Sequence, residues 1–94
     1  MSEINLDIDR EVAKGRYSNL AVISHTKNEF LIDFALMQPH GPALVVARVL
    51  TSPRHAKAFL RSLAENIRRY EEAHGPIEEE DSFQGGPGTG WGRA

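Results

Sequence analysis

The residues of this chain whose types suit chemistry are four histidines, a Ser-His pair, and an acid and a base set inside apolar runs. A metal site would draw on His25, His40, His55 and His74, yet no two stand four apart and no ligand-rich cluster surrounds them. His25 and His40 flank turns, His55 falls in the first turn of a helix and His74 in its last, where the helix dipole alone favours it. Ser24, His25 and Asp33 have the residue types of a hydrolytic triad, but adjacent side chains on a strand point to opposite faces. No nucleophile-elbow motif accompanies them. The glycine-rich run at 85–90 lacks the Lys-Ser/Thr that a phosphate loop needs, and no strand or helix frames it. With no cysteine, thiolate chemistry and disulfides are absent. The sequence predicts a protein that is not an enzyme and carries no metal and no cofactor.

Charge offers two further readings. Asp33 and Arg48 interrupt apolar strands, and a hairpin turning at Pro39–Pro42 brings them close together. They read as a cross-strand ion pair, or as a polar contact held between two copies that fixes their register. Arg54, Lys57, Arg61 and Arg68 follow helical spacing and form a solvated stripe balanced by Glu65, Glu71 and Glu72. The alternative is a phosphate-tracking surface of Lys27, Arg48, Arg54, Lys57 and Arg61. Net charge is −2, and setting aside the acidic run Glu78-Glu79-Glu80-Asp81 leaves the rest at +2. A strongly basic nucleic-acid binder is therefore not indicated.

These side chains need elements to hold them. Ile4, Leu6 and Ile8 alternate with Asn5, Asp7 and Asp9, the pattern of a strand with one wet face. Further strands are expected over 17–26, 29–37 and 43–51, the first two joined by a turn at Lys27-Asn28 and the last two by the Pro39–Pro42 break. Ser52 and Pro53 then start a helix, and Gly75-Pro76 stops it. Its apolar stripe is Ala56, Phe59, Leu60, Leu63, Ile67 and Tyr70, with Glu65–Arg69 and Arg68–Glu72 pairs on the wet side. The expectation is an α+β fold, a four-stranded antiparallel meander with the long amphipathic helix packed on one sheet face. Residues 1–77 form the single domain. Residues 78–94, acidic and then glycine-rich, form a disordered tail in which Phe83 and Trp91 are candidates for docking into a protein partner.

One helix covers one sheet face, and the strands are apolar on both. Leu20, Val22, Leu31, Asp33, Ala35 and Met37 are thus expected at a homodimer interface. The amino terminus has no apolar stretch of signal-peptide length, and no apolar run approaches the ~20 residues that span a bilayer. A cytoplasmic protein without a membrane partner is expected.

Tyr17-Ser18-Asn19, Glu29-Phe30 with Asp33-Phe34, and Ser52-Pro53 through His55-Ala56-Lys57 with Asn66-Ile67 and Tyr70-Glu71 resemble the prokaryotic family called domain of unknown function 3467. The resemblance covers roughly residues 10–77. It implies a single small domain and brings no activity with it. Two functions remain as expectations: a dimeric adaptor or regulatory module acting through protein contacts, and a sequence-tolerant binder of single-stranded DNA or RNA.

Overall fold

A computed structural model describes residues 4–79 of the protein together with the backbone of Trp91–Gly92. The element order is α1 (Arg10–Ala13), β1 (Leu20–His25), β2 (Phe30–Leu36), β3 (Leu44–Thr51), α2 (Pro53–His74) and β4 (Trp91–Gly92). β1, β2 and β3 form an antiparallel meander, and β4 pairs with the outer edge of β1 through Ala21↔Gly92 and Val22↔Trp91. The meander thus has three strands where four were expected. Ile4–Asp9 forms none, because a strand needs a ladder partner and these residues have no pairing on either edge. Asp9 instead caps α1, its carboxylate accepting from the Glu11 N–H at 3.1 Å. The rest of the expected tail, with Phe83 in it, lies outside the described residues.

Local chemistry explains each corner. The β1–β2 turn lacks an Asn-Gly signal, and the Thr26 hydroxyl substitutes for it by accepting from the N–H groups of Asn28 and Glu29, both at 3.2 Å. Asn19 clasps the far end of the same hairpin. Its N–H donates to Ala35 O, and its side-chain oxygen accepts from the Met37 N–H at 2.7 Å. A bulge lets Ala47 oppose Phe34 and Val45 oppose Ala35, leaving Val46 as the extra residue. Strict alternation would group Leu44 with Val46 and Leu50. The bulge puts Leu44 opposite Leu36 instead, on the face that holds Ala47 and Val49.

The sheet therefore has two defined faces. His25, Ile23 and Ala21 share one with Phe30, Ile32, Phe34, Ala47 and Val49; Leu20, Val22 and Ser24 share the other with Leu31, Asp33, Ala35, Arg48 and Leu50. We call these the Ile32 face and the Leu31 face.

α2 begins as the sequence dictates. The Ser52 hydroxyl accepts from the His55 N–H at 3.1 Å, Pro53 occupies the first turn, and Gly75 at φ +94° ends the helix. What differs is its packing. Extensive contact is confined to the strand pairs, and the first half of the helix stands over the Ile32 face across clefts, with His55, Phe59, Leu60 and Leu63 on one side and Ile23, Phe30, Ile32 and Val49 on the other. The expected closure of helix on sheet is not made. The physical reason lies at the corner: one extended residue, Ser52, separates β3 from α2, and Thr51 Oγ1 bonds the His55 ring at 2.7 Å. As a result the core of the described chain holds only Ile32, 8% exposed, and Ala35, 3% exposed. Replacing Ser52 by Ala is expected to lower stability by about 1 kcal/mol in denaturant titration, with Ser52→Asp close to wild type.

Candidate interaction surfaces

The Leu31 face is built around one ion pair. Asp33 and Arg48 are register partners on β2 and β3, so their side chains rise side by side. Arg48 Nε donates to Asp33 Oδ1 at 2.7 Å and Nη2 to Oδ2 at 2.9 Å, a bidentate fork. The Asp33 side chain is 13% exposed and that of Arg48 59%, so the carboxylate sits at the base with the guanidinium spread over it. The Arg48 hydrogen bonds hold the Asp33 carboxyl below its ordinary value against the opposing effect of desolvation, and Asp33 raises Arg48 in return. Around the pair stand half-buried Leu20 and Leu31 and exposed Val22, Val45 and Leu50. Of the six residues expected at a dimer interface, Leu20, Val22, Leu31, Asp33 and Ala35 share this face, and Met37 lies one residue past the end of β2.

The second surface is the stripe of α2. Phe59, Leu60, Leu63, Ile67 and Tyr70 are all exposed, Leu60 the most at 63%. Between its first half and the Ile32 face opens a cleft of about 500 Å³, lined mainly by Ile23, Phe30, Ile32, Ala56, Leu60 and Leu63. His25 stacks on Phe30 at the end of this cleft, with ring centroids 5.3 Å apart.

The candidate phosphate-binding residues do not form one group. Arg48 is committed to Asp33. Lys27 sits in the β1–β2 turn, while Arg54, Lys57 and Arg61 occupy the first half of α2 at helical spacing. Among the described residues, none of these four has an ion pair. The second half of α2 contrasts with this: Arg68 bridges Glu65 and Glu72 at 2.6 Å each, and Arg69 reaches Glu65 at 3.1 Å. The two i,i+4 pairs read from the sequence are both present. Arg68 chiefly, with Arg69, holds Glu65 down to about 2.

The remaining chemical candidates are placed apart. Ser24 shares the Leu31 face with Asp33, whereas His25 lies against Phe30 on the opposite face. His55 bonds Thr51, and His74 lies against Tyr70 at 4.9 Å between centroids. Among the described residues, no three His, Asp or Glu side chains gather as a ligand set. None of their helices is long and apolar enough to cross a membrane. Sequence reasoning missed the Asn19 clasp and the bulge at Val46. The width of the apolar stripe, with Phe59 beside Leu60, was the available signal that α2 carries more apolar surface than the sheet covers.

The model of the family described as "Protein of unknown function (DUF3467)" matches residues 1–79, and the chain belongs to that family. No curated protein and no solved structure matches it.

The ion pair makes a pH prediction. Asp33 has a folded value below its ordinary 3.8, so its stabilising contribution is complete above that value and is lost as pH falls through the lower, folded one. Carboxyl NMR titration should place Asp33 below 3.8 in the wild type and return it toward that value in Arg48→Ala. An unchanged Asp33 titration in the variant would show that the fork does not persist in solution.

Proposed function

We propose that this protein is a non-enzymatic, cytoplasmic binding module that acts through protein contacts as a homodimer. The observation that carries this reading is the pair of apolar surfaces, the α2 stripe and the Leu31 face, that stay exposed among the described residues, of which two form the core. Exposed apolar surface of this extent marks contact sites. An adaptor requires two of them, one for its own copy and one for a partner protein. The Asp33–Arg48 fork on the Leu31 face gives a partner a fixed polar feature to match within apolar surroundings, which favours specificity over indiscriminate adhesion. Phe83 and Trp91 remain candidate docking residues of the acidic, glycine-rich segment.

A second reading, sequence-tolerant binding of single-stranded DNA or RNA, draws on Arg54, Lys57 and Arg61. These cations lack ion-pair partners among the described residues, and their spacing suits a phosphate track. Two measurements separate the readings. Light scattering at micromolar concentration is expected to give the mass of two chains; a one-chain mass overturns the dimer. Anisotropy titration of labelled oligonucleotides is expected to show no salt-sensitive binding. Micromolar affinity that falls steeply with salt, by the counterion-release slope, would transfer the function to the second reading.

A further inference from the structure

We infer that α2 is the surface of self-association, pairing antiparallel with α2 of a second copy; this rests on the homodimer reading above. The apolar stripe contains a strict heptad seam. Ala56, Leu60, Leu63, Ile67, Tyr70 and His74 follow one another at alternating steps of four and three, the spacing of a helix that packs along another helix. Phe59 lies beside this seam and lines the cleft over the sheet, while Leu60, Leu63, Ile67 and Tyr70 of the seam stay exposed among the described residues.

The flanking residues select the orientation. In an antiparallel pair each flank meets the same flank of the partner helix, running the other way. One flank is Lys57, Ala64 and Glu71, spaced by sevens. Antiparallel pairing about Ala64 sets Lys57 of each copy against Glu71 of the other, twice, with a small residue at the centre. The opposite flank, Phe59, Asn66 and Ala73, then sets the large Phe59 against the small Ala73 and Asn66 against its own equivalent. The same register stacks Leu60 on Tyr70 and Leu63 on Ile67 in the seam. A parallel pair would set this flank against the opposite one, Phe59, Asn66 and Ala73, and forgo both ion pairs. Antiparallel helix dipoles also favour the first arrangement.

The cleft agrees with this occupant. Its sheet side, Ile23, Phe30 and Ile32, lies next to Ala56, Leu60 and Leu63, so a second helix laid along the seam also covers the open part of the Ile32 face. Two copies thereby complete the helix layer that one copy starts. The Leu31 face stays available to a partner of another kind.

The absence of native cysteine permits a clean test in the full-length chain. Leu60→Cys and Tyr70→Cys proteins, mixed and mildly oxidised, are expected to form a covalent heterodimer, while each alone stays uncrosslinked because its own copies lie far apart along the seam. Cross-linking by either variant alone would mean a parallel seam and would overturn the proposal. A two-chain mass without the mixed cross-link would overturn it too, leaving the homodimer reading intact; a one-chain mass would remove both. As a check that does not depend on cysteine, Lys57→Glu and Glu71→Lys should each weaken dimerisation roughly tenfold, and the double variant should restore it. Additive weakening in the double variant would contradict the pairing.

Discussion

The single residue between β3 and α2 constrains everything else in this fold. Ser52 is extended at φ −76°, ψ 157°, Pro53 fixes the next backbone angle, and the bonds of His55 to Thr51 and Ser52 lock the corner from both sides. A helix launched in this way has no slack with which to settle onto the sheet it came from. Its first half stands over the Ile32 face across a cleft, and its apolar stripe stays exposed among the described residues. Two elements that are each amphipathic thus fail to bury one another within one chain. Small domains are marginal even with a closed core, and the two core residues among those described fall short of that. The proposed second copy would supply apolar surface to cover what one chain leaves exposed among the described residues.

The elements themselves were legible because their signals are local. Ser52, Pro53 and Gly75 bound α2 where cap chemistry places the ends, and the central strands follow runs of apolar residues bounded by turns. Pairing Asp33 with Arg48 needed only the hairpin break at Pro39–Pro42 and antiparallel register. The failures are non-local. Ile4, Leu6 and Ile8 have the alternation of a strand, but alternation states which face would be dry and cannot supply a neighbouring ladder. The bulge at Val46 shifts the phase of β3 without any glycine to announce it. Whether a helix lies on its sheet depends on the angle of one corner, and no periodicity encodes that angle.

Charge is distributed along α2 in a way that bears on both functional readings. Its second half ties Arg68 and Arg69 into a network with Glu65 and Glu72, which stiffens the exposed side of the helix and leaves little positive charge there for a ligand. Its first half leaves Arg54, Lys57 and Arg61 without ion pairs among the described residues. The proposed antiparallel pair would make use of this asymmetry for Lys57, setting it beside Glu71 of the other copy. Arg54 and Arg61 lie on the side away from the proposed seam. The proposed seam and these exposed cations therefore lie on different sides of the same helix.

The central claim is that folding is completed by a second copy, and thermal unfolding as a function of protein concentration tests it most directly. If the folded state is a dimer, mass action makes the midpoint rise with concentration, by about 3–6 °C per tenfold for a pair of this size. A midpoint that does not move from low micromolar to high micromolar protein would mean that one chain is stable as it stands, and would contradict the account.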